Sequence, residues 1–380
     1  MKGAGVVPFM LGALLFGLLN GYTFFLLGWC CSITGASTFG QLWSKTFGPQ
    51  SAWVADLAVL TNNCLGCLAY CVVAGDFLSK AFEGLLPDVT LLHQRGLDLL
   101  LVGVCLLVPL SLLKDMAPLR FSSILGLGAT LYGFLLVTGD CASGVDLFDP
   151  NGAVQTNFFP LRIDLFQALA LLSSAFMAHY NSPKFYAGLQ DNTLPRWGLL
   201  VSGAFGLALL AFSTFALAGF ALFGFGVEGN ILVNYGGGAK ALLAWLGMAF
   251  SMIFTYPLLF SSLRDAASAL LLRAGAIQDA DASSFRLPFT LVAVGLTVLG
   301  GTVFSNVAVV NGVKGAVLSA CLAFIFPALI HLRLTGEDGL ATIRASAEGK
   351  DPWQSSMRTL SAALIVIGLT TGTLALLAMF

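Results

Sequence analysis

Ten long apolar stretches, separated by short polar connections, set the pattern of this chain: 6–31, 53–78, 97–113, 121–138, 164–190, 197–224, 239–262, 287–308, 312–332 and 359–379. About 20 apolar residues make one helical crossing of a bilayer, so each stretch predicts a transmembrane helix. The first begins after Lys2 but runs on through Phe24, Phe25 and Cys31. That exceeds the ~7–15 apolar residues of a secretory signal core, so it reads as a span. Residues 32–52 predict something different. Thr38 and Gln41 have capping-box spacing, and Phe39, Leu42, Trp43 and Phe47 fall on one helical face. This is the pattern of a short helix lying in the membrane interface.

Composition supports lipid as the solvent. Apolar side chains are 57% of 380 residues, charged ones only 10%, and the mean hydropathy is +0.89. Soluble domains carry roughly 25% charged residues. The expectation is an all-α integral membrane protein forming one transmembrane domain over 1–380, since no connection is large enough for a separate catalytic domain. A net charge of −1 leaves no footprint for nucleic acid. Eight Cys are too few for a disulfide scaffold. Alternate connections carry twelve and six of the eighteen Lys and Arg, with Lys314 counted in the smaller set. The basic-rich side is read as cytoplasmic, which puts both chain ends outside or in a lumen. The 139–163 connection carries Asp140, Asp146 and Asp149 but no glycosylation sequon.

Polar groups inside spans are costly and therefore candidates for function. Asn62 and Asn63 sit centrally in the second stretch, and either line a polar cavity or bond helices together. Asp56 and Asp76 lie near its two ends and read as solvated at the interfaces. Cys64, Cys67 and Cys71 share a face but lack a His or a fourth thiol nearby, so they read as helix packing rather than a metal site. The fifth stretch reads DLFQALALLSSAFMAHYNSPKFYAGLQD. Ser173 and Ser174 fall near mid-depth, followed by Phe176, His179, Asn181 and Pro183. Proline costs nothing at a first helical turn. The stretch therefore predicts a helix broken around Ala175–Ala178, with a second half starting near His179; an ordinary proline kink is the alternative. Such a break exposes backbone groups that are tolerated only beside a cavity, and its second N-terminus would attract a carboxylate. Phe176 either walls that cavity or packs. In SMIFTYPLLF, Ser251 and Thr255 either offer oxygens to a cation such as Na⁺ or bond back to their own helix beside Pro257.

Several blocks together resemble the amino acid/auxin permease family, and within it the branch of sodium-coupled neutral amino acid transporters. They are KGAG at 2–5, CSITGASTFGQLWSKTFG at 31–48, PLSLLKDMAPLRFSSILGLGA at 109–129, FMAHYNSPKFYAGLQD at 176–191, FGFGVEGNILVNY at 223–235 and TYPLLFSSLRDA at 255–266. The resemblance implies a leucine-transporter-like bundle of eleven helices, α-amino acid substrates and a coupling ion, Na⁺ or H⁺. It makes the 164–190 stretch the sixth family helix and gives the Thr255 hydroxyl a part in holding the ion. The chain departs from the pattern at its start, where the family's first helix is absent.

The function expected is secondary active transport of neutral amino acids by alternating access, in a plasma, vacuolar or endosomal membrane. Substrate contacts are expected from Ser173, Ser174, Phe176 and His179 with Asn62 and Asn63 opposite, and cation contacts from Thr255 and Ser251. No enzymatic cofactor is expected, and the partners are an amino acid and the lipid bilayer. A non-transporting sensor and an intramembrane enzyme using His179 with Asn181 are the rivals. If H⁺ rather than Na⁺ drives transport, His179 is the first titratable group to consider. Because the first helix is missing, a groove open on one side is expected beside 164–190 and 239–262, with no transport by the chain alone.

Overall fold

A computed structural model describes residues 1–114, 119–144, 162–279, 283–336 and 353–379; Asp146, Asp149, Arg344 and Lys350 lie outside these. Among the described residues every regular element is a helix. In chain order they are α1 (Val6–Thr34), α2 (Phe39–Phe47), α3 (Trp53–Leu85), α4 (Arg95–Val102), α5 (Val108–Ser111), α6 (Leu119–Ala142), α7 (Asp164–Ala175), α8 (Ser182–Gly188), α9 (Leu194–Phe223), α10 (Ala239–Arg273), α11 (Ser283–Val303), α12 (Val307–Lys314), α13 (Phe326–Leu334) and α14 (Trp353–Met379). Eight helical segments are long and apolar enough to cross a membrane, with α12 and α13 joined through 315–325 counted as one. The other two apolar stretches are assembled from pieces. One passes from α4 through a π-helical turn, Gly103–Leu107, into α5. The other is divided between α7 and α8.

The interfacial helix forms as its sequence predicts, with one change at the cap. Thr38 Oγ1 accepts from the Gln41 N–H (3.2 Å). The Gln41 side chain accepts from the backbone N–H (3.2 Å) and hydroxyl (3.0 Å) of Ser37, one residue before the cap. Phe39, Leu42 and Trp43 are buried, and Trp43 packs on Phe326 of α13 with ring centroids 4.7 Å apart. Near the opposite end, the Tyr235 hydroxyl donates to Asp140 Oδ2 (3.1 Å). Burial beside that carboxylate raises the Tyr235 pKa above the ordinary phenol value.

Helix α3 is the spine. Its contact with α10 is antiparallel: Asp56 meets Arg273, and a Cβ at Gly66 would lie 2.7 Å from the Leu259 side chain. A second stripe of α3, at heptad spacing, faces the 307–334 crossing. Ala69 and Val72 cluster with Val307 and Val310, while Ala55 and Ala58 cluster with Cys321, Leu322 and Ile325. Side-chain contacts on these two stripes of α3 fix the register between the crossings.

Both ends of α3 correct the reading of solvated carboxylates. Asp56 pairs with Arg273 Nε at 3.1 Å, and Asp76 with Arg95 Nε at 3.3 Å; the two carboxylate side chains are only 12% and 16% exposed. Asn230 Nδ2 also donates to Asp76 Oδ2 (3.4 Å). A carboxylate this far from water is more stable with a partner than bare, so the pairs form where three elements converge. Lys314 is corrected too: it closes α12 inside a crossing rather than standing in a connection.

Candidate functional site

The 164–190 stretch is broken where its sequence predicts. Helix α7 ends at Ala175; Phe176 (φ −82°, ψ 1°) and Ala178 (φ −136°, ψ 5°) leave the helical path. A 3₁₀ turn, His179–Asn181, then leads into α8 with Pro183 in its first turn. Phe176 N–H still bonds Leu172 O (2.9 Å) and Met177 N–H bonds Ser174 O (3.3 Å), but the N–H groups of Ala178 and His179 have no backbone partner among the described residues. Proline explains the restart, and the small Ala178 admits the turn.

Two side chains at the break turn away from it into neighbouring helices. Phe176 is buried against Phe205 (5.9 Å, stacked) and Phe212 (5.1 Å, edge-on) of α9. His179 is fully buried with Nε2 2.9 Å from Thr23 Oγ1 and 3.1 Å from Asn20 O on α1. A carbonyl can only accept, so Nε2 carries the proton and donates. Nδ1 has no partner. Ser182 Oγ adds a bond to Phe24 O (3.0 Å), so the second half of the broken crossing is clasped to α1.

Other buried polar atoms without a hydrogen-bond partner among the described residues are spread through the bundle, and four of them fall near one level. Ser173 Oγ, Asn62 Oδ1, Asn63 Nδ2 and Ser319 Oγ are buried without a partner among the described residues, although Asn62 donates to Asn63 Oδ1 (3.2 Å). Each such group costs about 1–3 kcal/mol unless something satisfies it. Gly315 touches the backbone of Ala170 so closely that a Cβ would overlap the Ala170 carbonyl. Six residues further along α7, Phe176 shares a cluster with Ala323 and Phe324, so the two crossings run parallel. Ser173 and Ser319 are therefore each one turn beyond the Ala170–Gly315 contact. Asn62 occupies the heptad position between Ala58 and Ala69 on the stripe of α3 that faces the same crossing. The packing of three crossings thus brings Asn62, Asn63, Ser173 and Ser319 to a similar depth. Ser174, beside them, is half-buried.

Residues 315–325, GAVLSACLAFI, form a π-helical segment. Such segments are rare and recur at functional sites. Neither this geometry nor Ser319 is signalled by the sequence, where the run is simply apolar; the close approach of Gly315 to α7 is a tertiary fact.

Thr255 and Ser251 stand apart from this group. The Gly66–Leu259 contact puts Thr255 about two turns along α3 from Asn63. Ser251 is buried against Gly126 of α6, where a Cβ would come 2.9 Å from its Oγ. Thr61 and Thr130 bond back to carbonyls four residues earlier (2.9 and 3.0 Å). Thr255 makes no such bond among the described residues, and Pro257 lacks the N–H that would engage the Ile253 carbonyl. The three cysteines of α3 are free thiols, and among the described residues no group of three or more His, Cys, Asp or Glu is placed to hold a metal.

A partly open cavity of about 270 Å³ lies at the basic-rich end, between Tyr180, Asn181 and Lys184 on one side and Ser262, Asp265 and Arg273 on the other. Of the two stretches beside which a groove is expected, 164–190 lines it through Tyr180, Asn181 and Lys184, and 239–262 only through Ser262. The Asp56–Arg273 pair forms its wall, and Arg273 Nη1 also donates to Pro49 O (3.2 Å).

A crossing broken beside buried polar groups is a feature found in secondary transporters, whose sites form at discontinuous helices. The model of the family described as "Transmembrane amino acid transporter protein" matches residues 1–371. The chain belongs to that family. It is similar to a putative sodium-coupled neutral amino acid transporter 11 of Danio rerio, at 28% identity across 89% of this chain and 74% of that one. It is also similar to solute carrier family 38 member 8 of Mus musculus, at 25% identity across 86% and 78%. A third relative, vacuolar amino acid transporter 2 of Saccharomyces cerevisiae, is 22% identical across 89% and 72%. Among solved structures, MhsT in complex with L-phenylalanine superposes with a TM-score of 0.56 at 15% identity, covering 100% of this chain and 92% of that one. That likeness establishes the leucine-transporter-like fold. This member of the family is a multi-pass membrane protein, and amino acid transport is the activity class of its relatives.

Proposed function

We propose that this protein carries neutral α-amino acids across its membrane by alternating access, coupled to Na⁺ or H⁺. The observation that carries the reading is the level shared by the unpartnered Asn62, Asn63 and Ser173 groups, next to the broken α7–α8 crossing. The backbone groups released at 176–178 suit the ammonium and carboxylate common to all α-amino acids, with no need for a charged side chain there. Ser174 completes the polar edge of α7. The clasp of His179 to α1 makes it a positioning residue that holds α8 in place. Thr255, with Ser251 and the carbonyl freed by Pro257, supplies oxygens to the coupling cation.

Counterflow of labelled neutral amino acids into liposomes containing the purified chain tests this reading, with Na⁺ and pH varied independently. Accumulation that follows an inward Na⁺ or H⁺ gradient supports it. Saturable binding without counterflow makes the protein a sensor on a carrier fold, and absence of both binding and flux overturns the proposal.

A further inference from the structure

The carbonyls of an ordinary helix usually occupy the hydroxyls that it buries. Here Thr290 bonds Arg286 O (2.8 Å) and Thr335 bonds His331 O (2.7 Å), each four residues back. Ser319 is fully buried yet makes no such bond. Its residues belong to the π-helical segment, in which backbone N–H groups pair with carbonyls five residues back, so the turn is wider and its carbonyls point to more distant partners. The hydroxyl is available to a ligand, as is that of Ser173 in the ordinary helix α7.

Its surroundings define what it can meet. One turn from the Gly315–Ala170 contact, Ser319 stands level with Ser173 on α7 and with Asn62 on α3. These side chains are all uncharged, and each can both donate and accept. A hydroxyl or carboxamide placed among them would find both donors and acceptors. The break at 176–178, where backbone groups are released, is about one turn beyond Ser173. A substrate whose main-chain groups lie at the break would thus extend its side chain toward Ser319.

We infer that Ser319 is a specificity-determining residue, its hydroxyl bonding the uncharged polar group of the bound amino acid's side chain. This rests on the carrier reading proposed above. Its consequence is selectivity: polar neutral amino acids gain a bond that aliphatic ones do not.

The test is competition by serine, asparagine, glutamine, alanine and leucine against one labelled substrate in proteoliposomes, comparing the parent with Ser319→Ala and Ser319→Thr. Ser319→Ala is expected to weaken competition by the polar amino acids about tenfold, the worth of one hydrogen bond, while alanine and leucine change less than about twofold. Ser319→Thr keeps the hydroxyl and is expected to restore most of the polar preference. Thermal unfolding of each purified variant, with and without each amino acid, gives the same ranking without requiring flux. A uniform shift across all five competitors, or none in a variant as stable as the parent, overturns the inference. If the parent shows neither flux nor ligand-dependent stabilisation, the carrier reading fails and this inference falls with it. If Ser173→Ala alters affinity while Ser319→Ala leaves the ranking intact, only the inference fails.

Discussion

Two crossings, Asp164–Gly188 and Val307–Leu334, depart from α-helical geometry at the same depth, and they do so in opposite ways. The first ends its ladder of backbone bonds outright and restarts it after Phe176–Ala178. The second keeps its ladder but lengthens each rung over 315–325. In the proposed function, the backbone groups released at the break meet what every amino acid has in common. Ser319, in the π-helical segment, is the side chain proposed to distinguish one amino acid from another. Their anchors differ as well. The restarted half is held by side-chain hydrogen bonds from His179 and Ser182 to α1. The π-helical segment is wedged by backbone contact, with Gly315 against Ala170 and Gly372 of α14 against Ala316. Hydrogen bonds through rotatable side chains can be exchanged one by one, whereas a backbone wedge yields only if whole helices separate. The contrast assigns movement to the α8 half and rigidity to 315–325.

The sharpest way to break this contrast is Gly315→Ala. The added methyl has only backbone to displace, so a loss of about 1–3 kcal/mol or more is expected, read as a lower unfolding temperature and abolished uptake. A neutral result would mean that the segment is not wedged. His179→Leu comes next. It removes the N–H that reaches the Asn20 carbonyl and the Thr23 hydroxyl, which keep their bond to each other, so a cost of about 0.5–1.5 kcal/mol is expected. Because His179 acts as a clasp, the pH profile of transport should keep its shape while the rate changes; a displaced profile would make His179 a proton carrier instead. Ser173→Ala removes a buried hydroxyl that has no partner among the described residues, so stability should not fall and is expected to rise by about 1 kcal/mol. Apparent substrate affinity should nevertheless fall several-fold, and unchanged affinity would remove Ser173 from the site. The smallest effect is expected from Thr61→Val, whose hydroxyl bonds only within its own helix near the lipid-facing surface. Stability and selectivity should both stay within measurement error, which calibrates the other three variants.

How much of this was legible in the sequence depends on whether the cause is local. Long apolar runs and 10% charged residues determined that lipid is the solvent, because no soluble interior could bury them. Thr38 and Gln41 announced the interfacial helix, and Pro183 after HYN announced the break, because capping and proline act within one turn of their own backbone. The tertiary structure alone decided which way each side chain faces and which polar groups remain unpartnered. His179 finds its acceptors 156 and 159 residues away. Asp56 finds Arg273 across the bundle rather than water. Ser319 lies in a run that reads as uniformly apolar, and its π-helical setting depends on how closely Gly315 meets Ala170. Hydropathy and turn chemistry are properties of neighbouring residues, whereas register between packed helices is a property of contacts that exist only after the bundle has assembled.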